Sequence, residues 1–300
     1  MRIVVSGASG LIGSTLVPAL QADGHSVLRL VRREPRADDE AGWDPSAHRL
    51  DPSTLAGADA VVHLSGAGVG DRRWSNTYKQ TLERSRVDST ATLSEGIAAA
   101  EPRPRVLLSS SAVGWYGDTG DRVVDEGALP GVGFMASLCH AWEAATGPAE
   151  RAGVRVVHLR SGLVLAREGG LLGRLVPLYR CGLGGRLGSG RQFWPWISMT
   201  DEVRAIQFLL VNEAITGPVN LAGPQPATNA EFTHALARVL HRPALVPVPA
   251  FTLRAVLGGF ADEGVLVGQR VVPRVLEQAG FTFTHPTVED ALRYATGRAG

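Results

Sequence analysis

The sequence predicts an α/β protein built on a doubly wound parallel sheet, with a smaller, mostly helical part at its C-terminal end. Three observations carry that prediction. Short apolar runs alternate with helix-period segments up to about residue 165. The first run enters a glycine-rich turn that opens a helix. Beyond residue 165 the alternation gives way to glycine- and proline-punctuated helical stretches. We therefore place a sheet-bearing unit at 1–165 and a substrate-side and small C-terminal unit at 166–300, with some later segments returning to the first.

The elements follow in order. Ile3 to Val5 is a buried strand, Ser6 to Ser14 a glycine-rich turn, and Thr15 to Ala22 a helix stopped at Gly24. Val27 to Val31 and Ala60 to Leu64 give two more strands, the latter left through Ser65-Gly66-Ala67-Gly68. Asn76 to Ala100 has helical spacing, and Pro102 and Pro104 set off the strand Val106 to Leu108. A helix from Phe134 to Ala152 leads into a strand from Val154 to Leu159. The glycine-rich stretch 169–190 reads as loop. Helical patterns follow at Asp201 to Glu213, Leu253 to Leu257, Val271 to Ala279 and Val288 to Tyr294.

Composition narrows the function. An apolar content of 44% with 20% charged residues is that of a globular protein, and no apolar run is long enough to span a membrane. The net charge of +1 comes from dispersed residues, which argues against a nucleic-acid partner. The two cysteines, Cys139 and Cys181, have neither metal spacing nor the number a disulfide framework needs. We expect a cytoplasmic protein without a metal, and no export signal precedes the first strand. Oligomeric state is not encoded legibly.

Gly7, Gly10 and Gly13 form G-x-x-G-x-x-G directly between a strand and a helix. In that setting one glycine allows a tight turn, one lets backbone approach a pyrophosphate, and one lets helix and strand pack closely. The helix N-terminus then presents amides and a positive dipole end to phosphate. Ser9, Leu11 and Ile12 complete the loop. This is the dinucleotide site of a Rossmann fold. About 20 residues on, where an acid would hold a ribose 2′-hydroxyl, the strand ends in Arg32-Arg33, which suits a 2′-phosphate and favours NADP. Asp59 either meets the adenine amino group or caps a turn.

A longer series of motifs runs the length of the chain: SGASGLIGS, HLSGAGV, RRW with ERSRVDST, SSSAVGWYG, AWEAA, RSGLVLAREGG, GLGGRLGSGRQFWPWIS, NLAGPQPATNAEF, then VGQRVVPRVLEQAGF and HPTVEDAL. The series resembles one branch of the atypical extended short-chain dehydrogenase/reductases, the epimerase-family proteins, some of which are labelled cell-division-inhibitor-like. The resemblance implies that Leu64, Ser65 and Gly66 pass along the cofactor. It also implies that Arg86, where most extended relatives carry asparagine, reaches cofactor or substrate or else is a helix-surface residue.

The same resemblance exposes a gap. Catalytically complete members combine a serine after the fourth strand with a Tyr-x-x-x-Lys pair. Ser111 matches the serine, but the tyrosine position falls at Met135, beside Phe134, and the lysine position at Cys139. Methionine moves no proton, and Cys139 reads better as a buried thiol than as an acid or base. His140 points about 100° away from its neighbour on a helix. Tyr116 is the remaining candidate acid, or with Trp115 an aromatic wall. On the substrate side Trp194 stands where sugar-nucleotide enzymes carry an arginine, leaving Arg191 or Arg186 as anion donors. The expected function is an NADP-dependent oxidoreductase or epimerase acting on an unidentified small molecule; the alternative is a catalytically silent NADP-binding sensor working through a partner.

Overall fold

The structure is a computed structural model, and it describes residues 1–297. β1 (Arg2–Ser6) turns into α1 (Gly13–Ala22), and β2 (Ser26–Val31) and the short β3 (Glu40–Gly42) follow. Next come β4 (Ala60–His63), α2 (Asn76–Ala99), β5 (Val106–Ala112), β6 (Val123–Val124), α3 (Phe134–Ala144), α4 (Gly147–Arg151) and β7 (Arg155–Ser161). The later chain forms β8 (Leu163–Leu165), α5 (Gly170–Arg180), β9 (Phe193–Trp194), β10 (Trp196–Ser198), α6 (Met199–Val211) and β11 (Gly217–Leu221). It ends with β12 (Ala227–Thr228), α7 (Asn229–Leu240), α8 (Ala250–Leu257), β13 (Arg270–Val271), α9 (Arg274–Gln278) and α10 (Val288–Ala295).

Seven strands make one parallel sheet in the order β11-β7-β5-β4-β1-β2-β3. The chain moves outward from β1 to β3 and then returns to β4 on the other side of β1. That reversal opens a crevice at the C-terminal ends of β1 and β4, the place where doubly wound sheets bind ligands. Both faces of the sheet are covered, which is why its strands read as unbroken apolar runs. Ile3, Val5, Leu108 and Leu159 pack with α1 and α6 on one face, while Val4, Val61, Leu107 and Val156 pack with Leu93 and Ile97 of α2 on the other. A fully buried Leu or Ile of this kind contributes about 1.5–3 kcal/mol.

Two buried carboxylates tie the C-terminal end to the rest of the fold, and the first, Glu126, accepts the Asn220 N–H of β11 at 3.0 Å and the Val275 N–H of α9 at 3.2 Å. Asp201, in the first turn of α6, accepts the Thr284 and His285 backbone N–H groups at 2.7 and 3.0 Å and the Ser198 hydroxyl at 2.9 Å. α7 starts from a complete capping box between Thr228 and Glu231.

Three expectations change. The helix expected from Phe134 to Ala152 breaks at Ala145-Thr146 into α3 and α4, the second beginning with Pro148 at its first turn, where a proline is tolerated. The glycine-rich stretch 169–190 is not all loop, because Leu171 to Arg180 have helical spacing and form α5 after two glycines of positive φ. Val271 pairs with Val124 in β13, and Pro273 delays the helix to Arg274.

Candidate cofactor and active site

The glycine loop crosses the C-terminal edge of β1. Gly7 has φ +73°, and a Cβ there would lie 2.6 Å from the Leu64 carbonyl carbon, so the loop and the end of β4 meet backbone to backbone. A Cβ on Gly13 would collide with the Gly7 carbonyl. Only glycine fits either place. Gly10 closes the turn on the Gly7 carbonyl at 2.9 Å, and α1 begins with no side-chain cap. Ser9, Gly10 and Leu11 are exposed. The Ser14 and Thr15 amides of the first turn of α1 donate back to the Gly10 and Ile12 carbonyls at 3.0 Å, so the exposed Ser9–Leu11 segment is the part of the turn open to solvent, at the positive end of the helix dipole.

Beneath the crevice a buried polar chain joins four elements. His63 at the end of β4 meets the Ser6 hydroxyl at 2.6 Å and that of Thr90 at 2.9 Å, and Trp142 Nε1 donates to Thr90 at 2.9 Å. Burial pushes the His63 pKa down to about 3, so the imidazole is neutral and structural at physiological pH. Its only sequence signal was a histidine inside an apolar strand.

The two arginines after β2 have different fates. Arg33 forms a two-pronged pair with Glu40 at 2.8 and 2.7 Å, which holds the Glu40 carboxyl down at about 2. Its guanidinium is committed within the protein and is withdrawn from the cofactor set. Arg32 is exposed at the same strand end. Asp59 is withdrawn too. It lies at the N-terminal edge of the sheet, opposite the glycine loop, where it accepts the Arg2 backbone N–H at 2.8 Å and Arg105 at 3.1 Å. Leu64, Ser65 and Gly66 leave β4 at the correct edge, with the Leu64 amide donating to the Ser6 carbonyl. Arg86 is no surface residue: it is buried under this segment, 8% exposed, and donates to the Ala67 carbonyl at 2.9 Å.

Where proton chemistry is expected, the site is filled. Ser111 donates to Glu143 Oε1 at 2.6 Å, and Glu143 also takes a bidentate pair from Arg160 at 2.8 and 2.9 Å. Arg160 Nη1 donates to the Tyr116 hydroxyl at 3.1 Å, and Tyr116 donates to Asn220 Oδ1 at 2.7 Å. This closed relay is fully buried. Ser111 is thus not free to polarise a substrate oxygen as it stands. Tyr116, 2% exposed and pushed up to about 12 by burial, is a packed wall residue and not a poised acid. Met135 and Cys139 face the Val113–Tyr116 turn one helical turn apart, and burial pushes the Cys139 thiol up to about 12. The partner of Ser111 was quoted within AWEAA, but nothing in a lone helical glutamate foretold a contact with residues 32 and 17 positions away.

On the substrate side, Trp194 and Trp196 are core residues. Trp194 packs edge-on against Phe232 and donates to the Val265 carbonyl at 3.0 Å, and Trp196 donates to the Gln225 carbonyl at 3.1 Å. Their bulk holds the C-terminal segments together and offers no face to a ligand. Arg191 is exposed, and Arg186 donates to the Ser189 carbonyl of its own loop at 3.2 Å. Among the described residues no histidine, cysteine and carboxylate cluster has metal geometry, and no helix is long and apolar enough to cross a membrane.

A model of the NAD-dependent epimerase/dehydratase family matches residues 3–241, and a domain of unknown function (DUF1731) matches residues 248–295. The chain is 51% identical over 298 residues to epimerase family protein Mb2239 of Mycobacterium bovis, covering 99% of this chain and 98% of that protein. It is 36% identical to epimerase family protein SDR39U1 of Bos taurus over 298 residues, 98% of this chain and 99% of the relative. Human SDR39U1, crystallised with NADPH, superposes with a TM-score of 0.92 at 32% identity over the full length of both chains. UDP-glucose 4-epimerase of Thermotoga maritima shares the fold, with a TM-score of 0.78 at 17% identity over 99% of this chain and 98% of that one. A Rossmann sheet, the glycine loop and these matches agree: the chain belongs to the NAD-dependent epimerase/dehydratase family.

Proposed function

We propose that this protein binds NADP(H) along the C-terminal edge of β1, β4 and β5 and is an oxidoreductase acting on a small molecule without a tyrosine acid. The carrying observation is the open cradle of Gly7, Gly10 and Gly13, with the N-terminus of α1, which no side chain caps, on one side and exposed Arg32 on the other. The amides and helix dipole would hold the pyrophosphate, and Arg32 the 2′-phosphate. Leu64, Ser65 and Gly66 would flank the cofactor beyond. NADPH found with human SDR39U1 supports the choice of cofactor. The bound nicotinamide would supply hydride chemistry.

This chain's own residues bind and orient; none of Ser111, Tyr116 or Cys139 stands ready to move a proton. A substrate oxygen would draw its proton from water at the mouth of the crevice or from the substrate's own acid. We place the protein in a reducing cytoplasm, with Cys139 and Cys181 as free thiols. A second reading, a silent NADP(H) sensor, is favoured by the closed Ser111–Glu143–Arg160 relay.

The test is a titration with NADPH and NADH, read by nicotinamide fluorescence and thermal shift and repeated with Arg32→Glu. We expect NADPH to bind at least about tenfold more tightly than NADH, and the charge reversal to abolish that preference, a change of about 1.4 kcal/mol or more. Equal or absent binding of both refutes the assignment. Selective binding without NADPH oxidation across aldehydes, ketones, enones and imines supports the sensor.

A further inference from the structure

Lys79 is the only lysine among 30 lysines and arginines. It lies on α2, its ammonium 4.8 Å from the ring centre of Phe134 and 5.5 Å from that of Trp74. Trp74 in turn packs on Phe260 at 5.4 Å. Of the acids around this aromatic nest, Asp71 pairs with Arg174 and Asp262 with Arg254, while Glu263 accepts the Met135 backbone N–H and pairs with no cation among the described residues. Among the described residues Lys79 has no ion-pair partner.

Seven residues on, and so on the same face of α2, stands Arg86. Its guanidinium lies over Trp142 at 4.9 Å, Nη1 and Nη2 donate to the Leu82 and Ala67 carbonyls, and the buried Nε finds no partner. The ionisable groups near enough to act on it are the Cys139 thiol and the Tyr78 phenol, both neutral at pH 7. Among the described residues no carboxylate pairs with this charge, although burying a cation without one is unfavourable. Two cations without an ion-pair partner among the described residues, Lys79 half-buried and Arg86 buried beneath Gly66, thus share one helix face.

We propose that this face of α2 is an anion subsite of the substrate. A carboxylate or phosphate group would be met by the half-buried Lys79 and drawn toward the Arg86 Nε–H, with the half-buried Phe134 taking the apolar body of the molecule. The inference rests on the proposed cofactor site only for the placement of the substrate beside it, so the test is run with and without NADPH.

The probes are benzoate and inorganic phosphate, titrated by thermal shift against the full-length protein. As a second readout, the extent of reductive methylation at Lys79, the only ε-amine, is mapped by mass spectrometry. We expect saturable binding of at least one probe, and slower Lys79 methylation when it is bound. Binding should weaken by about tenfold or more in Lys79→Gln and in Arg86→Gln, while the NADPH affinity of Lys79→Gln stays within about twofold. Protection by benzoate alone assigns a carboxylate, by phosphate alone a phosphate ester. If neither probe binds or protects at about 50 mM, or Lys79→Gln binds them like the wild type, the subsite does not exist. Failure of NADPH to bind while a probe still does would sink the cofactor assignment and leave the anion subsite standing.

Discussion

The edge of the sheet over β1 and β4 and the edge over β5 and β7 are built to opposite plans. At the first, glycines remove side chains, no side chain caps α1, and Arg32 is exposed. At the second, Ser111, Glu143, Arg160, Tyr116 and Asn220 satisfy one another in a dry relay. The first edge is exposed; the polar groups of the second are bonded to one another. On the reading proposed above, binding and catalysis would have separated in this chain: the edge that would hold a cofactor is exposed, and Ser111 and Tyr116 lie in the core.

The largest effect should come from filling the open edge. Gly13→Val pushes a branched Cβ into the Gly7 carbonyl and Ala8, so the loop must move and the amides lose their aim. We expect NADPH binding to weaken by about 100-fold or more, roughly 2.7 kcal/mol. If fluorescence titration returns wild-type affinity for a folded Gly13→Val protein, the cradle is not the cofactor site.

Breaking the closed edge should instead cost stability. Glu143→Gln keeps the shape but leaves the Arg160 guanidinium, 2% exposed as a residue, without a countercharge. Removing one partner of a buried pair costs about 3–5 kcal/mol, which urea unfolding would measure. NADPH affinity should be unchanged at temperatures where the variant is folded. A loss of affinity as large as the loss of stability would mean that the two edges are one site.

The difference between the edges also explains what could be read from sequence. Gly7, Gly10 and Gly13 act through local geometry, a turn and a helix start within seven residues, so spacing alone revealed them. The relay could not be read, because Ser111 and Glu143 are 32 residues apart and Tyr116 and Asn220 are 104 apart. Asp59 was open between two readings; it directly precedes β4, which runs parallel to β1, so it lies at the N-terminal edge of the sheet, away from the glycine loop, and there it accepts the Arg2 N–H. Arg33 looked equivalent to Arg32 until folding brought Glu40 on β3 beside it. The resemblance put Trp194 on the substrate side, and only three-dimensional packing shows that it and Trp196 are core.

A third consequence concerns pH. Glu202 on α6 is fully buried, accepts the Ser161 hydroxyl at 2.6 Å at the end of β7, and burial raises its pKa to about 8. In the unfolded chain it would titrate at the ordinary glutamate value of about 4.3. Between those values the folded state holds a proton that the unfolded state has released, so stability falls as pH rises through the window. The slope from this group is at most about 1.4 kcal/mol per pH unit. Glu202→Gln, which keeps a neutral polar group there, should flatten the wild-type decline between about pH 5 and 8 and be the more stable protein at pH 8. Parallel curves for the two proteins would show that Glu202 is ionised in the fold.

The smallest effect sharpens the comparison most. Tyr116→Phe removes a hydroxyl that donates to Asn220 and accepts from Arg160, while leaving the ring packed between Val113 and Val271. If the closed edge is structural, the cost is one lost buried hydrogen-bond pair, about 1 kcal/mol of stability. NADPH affinity and any NADPH oxidation rate should stay within about twofold, since a phenol with a pKa near 12 gives up no proton at neutral pH. A drop in oxidation of about 100-fold or more at unchanged affinity would mean that the relay opens during turnover and that Tyr116 has taken over the work of the tyrosine absent from α3. The catalytic edge would then be closed only until the substrate arrives.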